Sequence, residues 1–285
     1  LSTDPSYWRP RIDHVITRLS LRIRWWQLGH DGDTSFVGFD DLIEKISGIR
    51  NQMFRFGQDI KMGVGWRWDH LREWASARSW DFEQMSGREH LDAAGLDSAL
   101  ESAPASTAYR WVLVAPPKAL VNRHQHRVRD FVKQILVAKI HDADGIFVAN
   151  PFSGLADVTQ GRTGVMNQDG TPGELLLPWR TCARLLGGAQ YIGSLQLPAN
   201  SSNWLFKRPD GQVVMVLWNL ESDALEVNAA PIEERLYLGE SVHSVDIWGD
   251  SKELKSEEGR QIVSVGRMPR FVVGLNEAIA RWRMA

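Results

Sequence analysis

Four carboxylates fall where the chain passes from an apolar run into polar residues. Asp31 and Asp33 flank Gly32 in RWWQLGHDGDTSF, residues 24–36, where two tryptophans give way to a charged loop. Asp81 and Glu83 stand two apart in SWDFEQM, residues 79–85, a spacing that points both side chains to one face of a strand. Carboxylates gathered at strand ends suit general acid/base work. The same residues have a plainer use, since Asp, Gly, Thr and Ser cap turns through short side-chain hydrogen bonds. His30 beside Asp31 is able to orient a carboxylate or to titrate near neutrality. Arg67, between Trp66 and Trp68, has two readings, binding a substrate carboxylate or an ion pair with Asp69.

The elements that must position these residues show in the apolar spacing. Ile12, Val15, Ile16 and Leu19 recur at helical intervals, and Leu42, Ile43, Ile46, Ile49 and Met53 do so again before Gly57. The runs at 21–29, 60–66, 79–85, 109–116 and 145–150 read as strands, with helices at about 88–102 and 126–142 between later ones. Such alternation predicts a parallel sheet with helical crossovers.

After Asn150 a glycine-bearing loop leads to TPGELLLPWRTCARLLGG, residues 171–188. Thr171 and Glu174 have capping-box spacing, Pro172 fits a first helical position, and Pro178 should kink the helix. Beyond it the chain is a series of short strands, two of them joined by the PDG turn at 209–211 and the last followed by a brief helix over NEAIARWRM. That spacing indicates an antiparallel sandwich.

Composition narrows the function. The 285 residues are 43% hydrophobic and 24% charged with a formal net charge of -2, unlike the basic surplus of a nucleic-acid binder. No apolar run approaches the roughly 20 residues of a membrane span. A single cysteine, Cys182, excludes an internal disulfide and reads as a small buried hydrophobe. The chain begins at Leu1 and enters a helical pattern at once, so it reads as an internal fragment. Its 13 tryptophans serve as core anchors or as flat faces for sugars. His124 and His126 are too close to share a helix face, and no spacing suits a metal site. No dinucleotide or phosphate-loop motif occurs, and Ser153 lacks a nucleophile elbow, so no cofactor is expected.

The order of parts resembles the later half of the (β/α)8 barrel of clan-A-type retaining glycoside hydrolases, joined to their C-terminal β-sandwich. A closed barrel takes about 250 residues and the alternating pattern here ends at 189, so the pattern alone fits either an open doubly wound sheet or the C-terminal part of a barrel. The resemblance therefore implies an α/β chain with a partial TIM barrel, strands 4 to 8, over 1–189 and an antiparallel β-sandwich with a short C-terminal helix over 190–285.

In that clan strand 4 ends in an Asn-Glu pair whose glutamate is the general acid/base. RWWQLGHDGD is similar to this strand end, with His30 and Asp31 in the places of that pair. The segments VVMVLWN, VHSVDIWG and VGRMPRFVVGL are similar to the accessory sandwich. The resemblance implies one rim made of His30 and Asp31, Trp66 to Trp68, Asp81 and Glu83, Ala115 to Pro117, and Asn150. It makes Asp31 the candidate acid/base, and a pair different from the clan's would set Asp31 or Asp33 against Asp81 or Glu83. His30, Asp33, Trp66, Arg67, Trp68 and Asn150 become candidate carbohydrate contacts. The clan's strand-7 nucleophile is a glutamate, whereas WVLVAPPKAL carries no carboxylate there. Three readings stay open: hydrolysis by a different pair, carbohydrate binding without catalysis, and a structural barrel. The resemblance also favours a secreted or periplasmic setting.

Overall fold

The structure is a computed structural model. It describes residues 4–19, 22–35, 40–54, 59–67, 80–86, 91–103, 108–115, 124–148, 152, 164–219, 231–239, 241–276 and 278. The chain is mixed α/β and forms two compact units. The first takes in Leu1–Val114 with Ala143–Phe147, and the second Ala115–Asp142 with Val148–Ala285.

The first unit is a half-barrel of five parallel strands in sequence order. These are β1 (Trp25–Leu28), β2 (Lys61–Arg67), β3 (Phe82–Ser86), β4 (Tyr109–Val114) and β5 (Gly145–Val148). Helices α1 (Pro5–Leu19) and α2 (Leu42–Met53) cover one face of it. Ile16 of α1 and Leu42, Ile46, Ile49 and Met53 of α2 pack with Met62, Val64 and Trp66 of β2. Helix α3 (Ala93–Glu101) starts at Asp92, whose side chain accepts the Gly95 amide and so satisfies an orphan donor of the first turn.

Strand alternation sends the other residues to the opposite, inner face. There Trp25, Phe82, Tyr109, Trp111 and Phe147 form one aromatic layer, with Phe82 stacked on Trp111 at 4.0 Å between ring centroids. Gly63 makes room for that layer, because a Cβ there would overlap the Phe82 ring.

The second unit holds α4 (His124–Ile140), α5 (Leu176–Leu186) and two antiparallel sheets. The larger has the order β11-β10-β14-β8-β7-β6 and the smaller β12-β13-β9. In chain order these are β6 (Gln190–Gly193), β7 (Ser202–Lys207), β8 (Val213–Trp218), β9 (Ile232–Leu236), β10 (His243–Val245), β11 (Ser251–Glu253), β12 (Ser256–Glu257), β13 (Arg260–Val265) and β14 (Arg270–Leu275). One apolar cluster draws on both sheets, joining Leu205, Met215, Leu217 and Val272 to Leu236, Val263 and Val265. The expected hairpin at 209–211 joins β7 to β8, with Gly211 at φ 83 donating its amide to the Arg208 carbonyl.

Helix α5 departs from expectation. It begins at Leu176, so Thr171 and Pro172 lie outside it and Pro178 falls in its first turn, where a missing amide costs nothing. Asp169 takes both the Thr171 amide and hydroxyl, and Glu174 pairs with Arg127 and His124 of α4. Nearly all of the helix expected at the C-terminus lies outside the described residues.

Candidate functional site

The C-terminal end of β1 delivers Asp31 to the inner rim of the half-barrel. Gln27, on the inner face of β1, donates Nε2–H to Asp31 Oδ1 at 3.1 Å and to the Gly29 carbonyl at 3.4 Å. Gly29 and Gly32, with φ of 78° and 69°, let the chain turn sharply on either side of His30 and Asp31. The loop then folds over β2. A Cβ on Gly65 would collide with the His30 carbonyl oxygen and stand 2.9 Å from Gln27 Nε2, so only glycine lets this loop close. Asp31 and His30 are exposed, and His30 Nδ1 lies 2.8 Å from the Asp31 carbonyl.

Asp33 has a different role. It is 6% exposed, and its Oδ1 accepts the Ser35 amide at 2.7 Å. Burial pushes its carboxyl pKa up, but the hydrogen bonds from Ser35 and the charge of nearby His30 outweigh this and leave it lowered. Its geometry is that of a turn cap.

Asp81 and Glu83 do not join Asp31. The strand expected over 79–85 runs instead over Phe82–Ser86, so Asp81 precedes it, at the opposite end of the sheet from the Asp31 rim. There it is held by Arg50 at 3.2 Å and Lys61 at 4.0 Å and accepts the Met62 amide at 2.9 Å. Glu83 pairs in register with Val64, on the helix-facing side, and accepts Trp80 Nε1–H at 3.1 Å. Trp66 is 3% exposed in that same helix-facing core and offers no open face for a sugar to stack on. The inner face of β3 has no signal in the sequence, because β3 is buried on both faces and a strand buried on both sides carries no alternation to reveal it.

Arg67 ends β2 on the inner face, with its stem against Gly32. Trp68, Asp69 and Asn150 lie outside the described residues, as do Pro116 and Pro117. Among the described residues, the C-terminal ends of β2, β3 and β4 carry Arg67, Ser86, and Val114 with Ala115, none of them a carboxylate. Reading the sequence missed Gln27, Gln84 and Ser86 on the inner face. The alternating glycines in KMGVGW mark one face of β2 as closely approached but do not tell which face is the inner one.

Cys182 is buried with its thiol pushed up to about 12 by desolvation, which leaves it a packing residue. Among the described residues no group of His, Cys, Asp and Glu is placed to hold a metal ion, and no helix is long and apolar enough to cross a membrane.

Solved structures that this chain resembles include glycoside hydrolases. One is a family 39 glycoside hydrolase from Bacteroides cellulosilyticus WH2, with a TM-score of 0.60 at 12% identity over 93% of this chain and 60% of that one. Another is the catalytic domain of the GH30 xylanase C of Talaromyces cellulolyticus, at 0.55 and 10% over 89% and 62%. A third is an endo-beta1,6-glucanase, at 0.57 and 12% over 95% and 64%. The chain therefore has a clan-A glycoside hydrolase-like fold. It spans about three fifths of the length of these structures. No family model matches the chain, and no curated protein does.

Proposed function

We propose that this chain belongs to a carbohydrate-active protein in which Asp31 is the general acid/base at the rim of a partial barrel. The observation that carries the reading is the placement of Asp31: exposed, at the C-terminal end of a parallel strand, and hydrogen-bonded by Gln27. In barrels that rim is where reacting groups gather. On this reading β1 to β5 are barrel strands 4 to 8 within 1–189, and residues 190–285 form the accessory β-sandwich. The shared apolar core from Leu195 to Leu275 supports the second assignment. A protonated Asp31 would give its proton to the glycosidic oxygen as the C–O bond breaks, while a second carboxylate outside the described residues takes the anomeric carbon; Asp31, then a carboxylate, would draw a proton from the water that displaces it.

A second reading is carbohydrate binding without catalysis. It is favoured by the end of β4, where Val114 and Ala115 stand in place of the carboxylate that a retaining mechanism needs about 5–5.5 Å from the acid. Both readings take carbohydrate as the ligand and need no cofactor, nucleic acid or membrane, and a secreted or periplasmic setting suits them. A glycan array run with the wild type and with Asp31→Asn separates them from a structural barrel. Retained glycan binding by the variant is expected under either reading. A complete absence of glycan binding by both proteins would contradict both.

A further inference from the structure

Two buried polar side chains on the inner face of β3 each hold an atom with no hydrogen-bond partner among the described residues, Gln84 Nε2 and Ser86 Oγ. The residues are 4% and 3% exposed, so both atoms lie away from bulk solvent, where a buried polar group needs a partner. Two apart on one strand, they share a side, and it is the side of Phe82 and not of the helix-facing Glu83. In register Gln84 lies beside Gly65, and Ser86 beside Arg67. The loop that carries His30 and Asp31 closes over them: a Cβ on Gly32 would be 3.3 Å from Ser86 Oγ. That loop is flanked by the two left-handed glycines, Gly29 and Gly32.

We propose that Gln84 Nε2 and Ser86 Oγ form the floor of a subsite for a hydroxyl group of an uncharged sugar, beneath the segment from Gly29 to Gly32 that carries Asp31. The inference rests on the carbohydrate reading of the Asp31 rim and adds the kind of ligand group and the residues that meet it. A hydroxyl accepts from the Gln84 amide while donating to or accepting from Ser86, so a single group satisfies both orphan atoms. An anionic sugar is disfavoured there. The covering loop brings the carboxylates of Asp31 and Asp33, which outnumber the one guanidinium beside Ser86, that of Arg67, and both orphan groups are neutral. A structural role for the pair is disfavoured too, because a buried polar atom left unpaired lowers stability.

The test uses the full-length protein. Wild type is titrated with a glucose, xylose and arabinose mixture, then separately with glucuronate, while the Gln84 side-chain amide resonance is followed by NMR. The neutral mixture should shift that resonance and glucuronate should not. Ser86→Ala should weaken the neutral-sugar effect about tenfold, the loss of about one hydrogen bond. Ser86→Ala and Gln84→Leu should both unfold at temperatures no lower than wild type, since each removes an orphan polar atom. A lowered Tm in both variants, no response to the neutral sugars, or an equal response to glucuronate would each overturn the proposal. Loss of this response alongside Asp31-dependent glycoside turnover would sink the subsite while leaving the Asp31 reading in place.

Discussion

Gln27 and Asp31 are joined by a 3.1 Å hydrogen bond between side chains of one strand and the loop that leaves it. The bond fixes a carboxylate that would otherwise sweep freely from an exposed turn. It depends on a third residue, Gly65 on the neighbouring strand, which leaves space for both Gln27 and the His30 carbonyl. The rim is thus built by a polar side chain, a pair of left-handed glycines and a missing Cβ.

Gly65→Ala should therefore disturb the site and the fold together. The new methyl meets backbone at His30, which cannot rotate away, so a loss of about 1–3 kcal/mol is expected. Gly48 is the control: it lies inside α2 with nothing within 4 Å of an added Cβ, so Gly48→Ala should stabilise by about 0.5–1 kcal/mol. Urea unfolding of both variants measures the contrast, and equal effects would contradict this account of the loop.

Trp66→Ala should behave as a core truncation, costing about 3–5 kcal/mol. Trp66 is fully within the helix-facing cluster with Ile46, Val64 and Trp80. Affinity for any bound glycan, measured below the unfolding transition, should stay within a few-fold of wild type. A selective loss of binding with unchanged stability would put Trp66 on the sugar after all.

Asp33 ties stability to pH. Its folded-state pKa lies below the unfolded value of 3.8, so the folded state favours its ionised form. That stabilisation is present above 3.8 and is lost as pH falls through the folded-state value. Asp33→Ala should therefore lower Tm more at pH 7 than at pH 3. A Tm difference that is the same at both pH values would contradict the electrostatic part of this assignment.

The sequence made the parallel strands and most helices legible because apolar spacing and glycine stops are local signals. Face assignment was not legible. Met62, Val64 and Trp66 alternate with Gly63, Gly65 and Arg67, and only the packing of α1 and α2 shows which set is inside. Asp81 and Glu83 were drawn into the candidate site by a strand start read three residues early, whereas Asp81 uses its carboxylate to close the start of the sheet. Glu174 had the spacing of a helix cap, yet its partners lie 47 and 50 residues away in α4. Long-range ion pairs of this kind leave no local trace.

The most direct test of the central claim is turnover of a panel of glycosides by the full-length protein, with wild type compared to Asp31→Ala and Gln27→Leu. The account predicts that Asp31→Ala lowers kcat/KM by about a hundredfold or more, as removal of a general acid/base does, and that Gln27→Leu lowers it by a smaller factor. Turnover that is unchanged in Asp31→Ala would contradict it.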